Sequence, residues 1–524
     1  MSETNNPMQA SGDYDAMSGY WTMVDAIVAG AEAMRAIGGV RPAGSGRAFA
    51  QSPYLPAFPN ESHADYELRR CHAPFTNLYE DISGNLAAKP FAKTCELAQD
   101  AGDDLKKLAE NIDGQGHSLH VFAQSVFKPA LDKGIDWILI DHTSVPQGAT
   151  LADERSMGAR PYWVRIPAER MLAVYSAFLN GSEAIYHARV YEPATVREGF
   201  SETTVERVRV MDRAPIYDVL GNLVGFGPAT WKLLEQSEKT EGGKKETVWI
   251  EVSAGNFTIG VIPLVPVVPV GRLGMSWRVK PAFRDIAYMQ IEEFQQESSL
   301  KSIKELTAFP MLAGNGVMPP TDAKGQPVTV PVGPRGVLFA PPGGDGKFGN
   351  WAFVEPAGSS LTFLQTDLEK HREQMRSLGR QPMASANLTV ITTANVSMKA
   401  SSAVQAWAIM LKDALEQAWV LTCKWLGQEA KAPAVNLHMD FGVDLEGGTE
   451  LDALQKAQAS GVISKRLQFN EMKRRGTLSD NADWDDDQEQ MAEEQQGLEP
   501  EQPIDPLNGD PLAPVNDNSQ QAAQ

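Results

Sequence analysis

Cysteine is scarce. Cys71, Cys95 and Cys423 are the only three in 524 residues, and their odd number and wide spacing exclude a disulfide framework and a paired-cysteine metal site. They read as buried thiols. Long hydrophobic runs are missing as well: no apolar stretch approaches the roughly 20 residues a spanning helix needs, so no membrane association is expected. The opening MSETNNPMQASGDYDAMSG has neither the basic start nor the apolar core of an export signal, which gives the expectation of a cytoplasmic protein. Positive charge is absent from the far end. No Lys or Arg follows Arg475 while thirteen Asp and Glu do, so only −7 of the formal −20 belongs to the rest of the chain. A segment of Asp, Glu, Gln and Pro with almost no large apolar residue cannot offset its ordering entropy, so 479–524 is expected to be a disordered acidic tail.

Catalytic signatures are also missing. The nearest approach to a nucleotide cradle, PPGGDGKFG, has Pro341 where the first Gly is required and Phe348 where a hydroxyl is required. The same stretch fits G-x-G-x-x-G at Gly344, Gly346 and Gly349, but NWAFVEP after it reads as strand where a dinucleotide site needs a helix. It is read as a turn. His117 and His120 stand three apart with no third ligand near them, and nucleophile-elbow, zincin and deaminase patterns do not occur. The expectation is no enzyme, no cofactor and no metal.

What is present is a chain with 42% hydrophobic residues, enough for a sizeable core and several domains. The stretch PAFRDIAYMQIEEFQQESSLKSIKELTAFPML, Pro281 to Leu312, predicts one long helix between Pro281 and Pro310. Phe283, Ile286, Ile291 and Phe294, then Leu300, Ile303 and Leu306, give its apolar contacts. From about Phe283 to Ala308 it would run roughly 39 Å. Its middle, EEFQQESSLKSIKE, is poor in apolar residues for a core helix, and suits packing against copies of itself beside a wet channel; an ordinary amphipathic surface helix fits the same pattern.

Upstream, Tyr20 to Ile37 predicts a helix ended by Gly38 and Gly39, Ser62 caps another, and one more runs through Leu105 and Ile112 to about Ala130. From Ile135 to Val270 the apolar period changes to two, in WILIDH, YWVRI, AIYHARVYE, TTVERVRVM and TVWIEV, which predicts a mostly antiparallel sheet. Pro263, Pro266 and Pro269 confine the last run to an edge or an extended connector. There is no βαβ rhythm, so the fold class is α+β. Downstream, Ala313 to Ser360 is rich in Gly and Pro with strand-like PVTVPV and GVLFA. A second helix follows through Leu361, Leu368 and Leu378, then the loop Gly379 to Asn395, then a stripe from Val404 to Trp425, a strand at Val435 to Val443, and short helices around Gly461.

Taken together, YLPAFPNESHADYELRR, NIDGQGHSLHVF, IDWILIDH, RPYWVRIPAERML, IPLVPV and FRDIAYMQIEEFQQESSLKSIKELTAFPML followed by GNGV resemble a family of tailed-bacteriophage portal proteins, over most of Tyr20 to Gly476. The resemblance implies a ring, usually of twelve subunits, at one capsid vertex, through which double-stranded DNA is packaged and ejected. It implies a portal-like fold: a disordered N-terminal arm at 1–18, an α/β wing at 19–280, a two-helix stem at 281–308 and 360–378, and a small β-rich clip at 309–359. A tunnel loop would occupy 379–400, a wing helix and strand 401–445, and a short helical crown 446–478. The partners it implies are further copies of the chain, the terminase large subunit, the major capsid or scaffold protein, and head-completion or tail adaptor proteins, with DNA in transit without sequence specificity. The location it implies is the virion, after assembly in host cytoplasm. On this reading Glu292, Glu293 and Glu297 line the channel wall, with Lys301, Lys304, Arg380 and Asn387 facing the DNA. The competing reading of these charges is exposed ion pairs worth under about 1 kcal/mol each. Two other classes fit the same composition: another virion structural protein, such as a minor capsid or head-completion component, and a hydrolase using unrecognised carboxylates of the α+β part.

Overall fold

The computed structural model describes residues 6–38, 49–143, 145, 150, 153, 156–241, 244–308, 311–315, 349–354, 359–379, 390–439, 441, 455–456, 458–461, 464–474, 478 and 482–496. The chain divides into two units, Met1–Val443 and Asp444–Gln524.

The first unit opens with a helical layer. Helix α1 (Gly12–Ala29) starts where Ser11 Oγ accepts from the Tyr14 amide at 3.2 Å and stops at Gly30, whose φ is +90°. It therefore begins eight residues before the expected Tyr20 and occupies part of the expected disordered arm. The start signal was the Ser cap with Asp13 and Asp15 in the first turn, which favours a helix N-terminus. Helices α2 (Ala31–Arg35), α3 (His63–His72) and α4 (Leu78–Ala88) follow. Ser62 does cap α3, with its Oγ 3.1 Å from the Asp65 amide. The helix expected through Leu105 to Ala130 is two, α5 (Asp103–Glu110) and α6 (Leu119–Lys133). Between them Gly114 and Gly116 take positive φ, and Asp113 Oδ1 accepts from two backbone amides.

The end of α6 organises its surroundings. Its last carbonyls have no helical partner and must be satisfied from outside. Leu131 O accepts from the Ala282 amide, Asp132 O from Tyr20 OH and Lys133 O from Trp21 Nε1, at 3.2, 3.0 and 3.0 Å. This fixes α1 and residue 282 against one helix end. Gly134 then turns the chain with φ +89° into strand β2.

Two antiparallel sheets follow. In the smaller, β2 (Asp136–His142) lies between β3 (Pro161–Ile166) and β13 (Leu264–Val267). Pro266 sits opposite Trp137 on the edge strand, as the Pro spacing predicts. The larger sheet has five strands in the order β12 (Lys244–Asn256), β11 (Thr230–Glu241), β8 (Arg207–Asp212), β5 (Ser182–Tyr191), β4 (Met171–Leu179). Hairpins β6–β7 (Ala194–Glu198, Ser201–Val205) and β9–β10 (Pro215–Tyr217, Leu223–Phe226) stand apart from both sheets. The α+β expectation holds.

Helix α7 (Arg284–Ala308) is the predicted long helix. It runs into β14 (Met311–Asn315), which pairs antiparallel with β15 (Asn350–Val354) before α8 (Ser359–Leu378). The segment NWAFV is thus strand, and the Gly344, Gly346, Gly349 pattern opens no helix. The runs PVTVPV and GVLFA lie outside the described residues. Helix α9 (Val390–Trp425) claims the last residues of the expected loop from Val390 onward. It packs on the small sheet: Thr422 Oγ1 accepts from Trp163 Nε1 at 2.8 Å, and Ile140 O from Trp425 Nε1 at 3.2 Å. Beyond it, among the described residues of the expected strand, Val435–Asn436 pairs with Glu96–Leu97. Phe127, Ile138, Ile140, Trp163, Leu411 and Trp419 form the centre of the core. Cys95 and Cys423 are buried, but Cys71 is exposed, contrary to its reading as a buried thiol. Among the described residues no helix is long and apolar enough to cross a membrane.

In the second unit, α10 (Lys465–Arg474) and α11 (Trp484–Gln496) are joined by an edge contact of Phe469 on Trp484, centroids 5.3 Å apart. Part of the expected disordered tail is therefore helical. Asp485, Asp486 and Asp487 in its first turn favour that N-terminus, and Trp484 supplies a large apolar anchor.

Candidate functional site

The residues expected to face DNA lie mostly on α7, and the structure sorts them by what they touch. The buried face of α7 includes Ile286, Ala287, Gln290, Glu293, Phe294 and Ser298, at helical spacing. Half of that stripe is polar. Each polar member is buried because a remote segment meets it. Gln290 Oε1 accepts from the Tyr79 amide at 3.0 Å, one of the N-terminal donors of α4 that its own helix cannot satisfy. Gln290 Nε2 donates to Thr76 O at 3.0 Å and to Glu293 Oε2 at 3.1 Å.

Glu293 is 0% exposed, which leaves it no surface to offer a passing strand and removes it from the expected wall. Arg372 on α8 explains how the charge is tolerated. Its Nε and Nη2 donate to Glu293 Oε1 at 2.8 and 2.5 Å, and Nη2 reaches Glu297 Oε1 at 2.8 Å. Burial pushes the Glu293 carboxyl above its ordinary range, while the hydrogen bond from Arg372 pulls the other way. The guanidinium is held up by both glutamates against the opposing effect of its own burial. Glu297, half-buried, also accepts from Thr76 Oγ1 at 3.3 Å. One turn along, His371 Nε2 lies 3.0 Å from Met289 O.

The seam continues toward α3. Arg69 forks onto Glu61 at 2.7 and 2.8 Å, donates to Pro56 O at 2.8 Å and reaches Ser298 Oγ at 3.4 Å. Lys301 Nζ donates to His72 O at 2.7 Å and lies 3.9 Å from Glu305. Glu292 and Lys304 are exposed. Arg380 and Asn387 lie outside the described residues. The structure thus brings Glu293 and Glu297 together on Arg372, a residue the sequence reading did not single out, and leaves Glu292 and Lys304 as the surface members. Arg372 had no local signal: its role depends on a partner some eighty positions away.

The seam is a set of satisfied ion pairs with no open nucleophile or base. Two other acids raised by burial are equally closed. Burial pushes Asp136 up to about 7 against the opposing charge of Arg165, and raises Asp132, which accepts from Tyr79 OH at 2.9 Å and Lys128 Nζ at 2.8 Å. They are 0 and 4% exposed, so no substrate reaches them. His117 pairs with Asp113, and His120 Nδ1 accepts from the Cys95 amide at 3.0 Å. Among the described residues no group of three His, Cys, Asp or Glu is placed to hold a metal ion.

The architecture is that of an α+β protein whose long helix is joined to its neighbours by buried polar contacts. Residues 282–426, covering α7 to α9, match a protein family described as Domain of unknown function (DUF4055). No curated protein matches the chain. Among solved structures it is similar to a chain of the neck of a native gene transfer agent particle computed with C12 symmetry, at 12% identity and TM-score 0.38, over 74% of this chain and 87% of that one. It is also similar to a chain of the virion of a native gene transfer agent particle, at 13% identity and TM-score 0.36, over 78% and 91%. At these values neither similarity assigns a function.

Proposed function

We propose that the chain is the portal subunit of a tailed bacteriophage, copies of which close into a ring at one capsid vertex for DNA to enter and leave. The observation that carries this reading is the way α7 and α8 meet the β14–β15 ladder, from Met311↔Val354 to Asn315↔Asn350. Two long helices run into and out of one five-residue strand pair, and the Gly/Pro-rich residues 316–348 follow in the sequence between its two strands. On this reading α7 and α8 are the stem, 309–359 the clip that meets the terminase large subunit, the sheets and α9 the wing, and 446–478 the crown. The residues 379–389 before α9 form the tunnel loop. Capsid or scaffold protein and head-completion or tail adaptors are the other partners, and the location is the virion.

The charge pattern supports a conduit that DNA slides through. A groove contacting roughly 6 to 10 phosphates would bind DNA tightly and resist movement. Here Arg372 is committed to Glu293 and Glu297 and Lys301 to the His72 carbonyl, while Glu292 presents negative charge. The chain up to Arg475 is itself mildly acidic. Negative-stain imaging and native mass of the purified protein test the proposal. Rings with a central hole are expected. A stable 57.1 kDa monomer at high concentration and with capsid components present would refute it and favour a head-completion component.

A further inference from the structure

The β9–β10 hairpin keeps large apolar side chains in water. Ile216, Tyr217, Val219, Leu220 and Val224 are 49, 60, 102, 83 and 53% exposed. The turn bearing the tip is stiff: Asp218 Oδ1 accepts from the Leu220 and Asn222 amides, both at 2.8 Å, Oδ2 accepts from Asn222 Nδ2 at 3.1 Å, and Gly221 supplies a φ of +83°. Its root is anchored where Phe226 stacks on Tyr186 at 6.1 Å beneath the Arg213 guanidinium, 5.0 Å from the ring. Val219 and Leu220 are therefore held outward. A two-stranded hairpin with both edges free is marginal in water, and contiguous exposed apolar surface marks an interaction site.

The same chain carries an open groove of about 760 Å³ walled by β5, β13 and α9, with Ile185, Val265, Met410, Ala414, Val420 and Leu421 in its lining. The chain's own hairpin tip does not fill it, since Val219 and Leu220 remain in solvent. We infer that the Val219–Leu220 tip of one copy seats in this groove of a second copy, an inference that rests on the ring reading. A knob and a groove on different elements make a heterologous contact, which repeats from copy to copy and closes when the rotation allows. Val219 and Leu220, at roughly 60 to 120 Å² each, supply on the order of 200 Å². That is about a quarter of the roughly 800 Å² per partner of a standard interface, and the groove face of the same copy, filled by the preceding neighbour, adds a second contact.

The test uses the full-length protein with Leu220→Asp, Val420→Lys and the two combined, read by native mass, imaging and thermal midpoint. Leu220 and Val420 are exposed, so all variants should fold with an unchanged midpoint. Leu220→Asp should raise the concentration needed for assembly at least tenfold, Val420→Lys likewise, and the pair should recover much of the loss by placing opposite charges together. Wild-type rings with Leu220→Asp rings at the same concentration overturn the contact and leave the ring reading intact. Loss with Leu220→Asp but no effect of Val420→Lys and no recovery overturns the groove as its seat. Wild-type protein that stays monomeric overturns both.

Discussion

Replacing Arg372 by Met removes both guanidinium contacts from Glu293 while keeping the aliphatic stem. Glu293 has a fully buried side chain and Arg372 one 28% exposed. Breaking a buried pair from one side costs about 3 to 5 kcal/mol because the other charge is left uncompensated. The lower end applies here, since Gln290 Nε2 still donates to Glu293 Oε2 at 3.1 Å and solvent reaches part of the arginine. Unfolding entropy runs at about 2.1 cal/mol/K per residue, so a unit such as Met1–Val443 shifts by only about 1 °C per kcal/mol, and Arg372→Met should lower the thermal midpoint at pH 7 by roughly 3 °C.

The pH dependence has a definite sign. The folded-state pKa of Glu293 lies above its ordinary value of 4.5, so the native chain holds that proton more tightly than the unfolded chain. The associated stability is present below 4.5 and lost as pH rises through the folded value. Removing Arg372 takes away a charge that opposes this shift and moves the folded pKa further up. The variant's deficit should therefore be largest at pH 7 and shrink toward pH 5. Glu293→Gln combined with Arg372→Met should recover more than half of the loss, since no buried charge remains. Differential scanning fluorimetry and circular dichroism at both pH values provide the measurement. A midpoint within 1 °C of wild type, or a deficit equal at pH 5 and pH 7, would refute the argument.

Gly134→Ala should also destabilise, by roughly 2 kcal/mol or more, because φ is +89° and a Cβ there would stand 2.5 Å from Val279 Cγ2 and 3.2 Å from Pro281 Cγ. Adding Val279→Ala should relieve the clash but not the backbone strain, so a midpoint fully restored in the double variant would contradict the geometry. If 379–389 is the tunnel loop proposed above, replacing Asn387 to Thr389 with Gly-Gly-Ser should spare the thermal midpoint and ring yield, because loops carry few buried contacts, yet reduce packaged genome length in assembled particles. Normal genome length with normal rings would remove this loop from the channel.

Elements defined by local chemistry were legible in the sequence. Ser62 caps its helix, Pro266 marks an edge strand, and Pro281 precedes a helix that ends near Ala308. Breaks were less so. The Gly114 and Gly116 turn that splits α5 from α6 was written in NIDGQGHS, but the apolar residues on either side suggested continuity. What could not be read was burial of polar side chains. Gln290, Glu293 and Ser298 look like a solvated face because each is satisfied by Thr76, Tyr79, Arg69 or Arg372, and sequence spacing carries no record of such partners. Thus Glu292 and Glu293, adjacent in sequence and alike in type, have opposite fates: a helix turns about 100° per residue, and only one of them meets Arg372.

This difference bears on the proposed stem. An apolar seam between α7 and α8 could slide by a turn at modest cost, because each dispersion contact is worth only about 0.1 to 0.2 kcal/mol and has no direction. The Arg372 fork behaves differently. It meets Glu293 and Glu297 together in one register, with Gln290 holding the second oxygen of Glu293 and the start of α4 at once. Sliding α8 by a turn along α7 would strand a buried carboxylate, a penalty of several kcal/mol in place of a few tenths. On the proposed portal reading, a subunit that keeps its position while DNA moves past would need its helix pair fixed in this way, and the polar residues Gln290, Glu293 and Arg372 would be what fixes it.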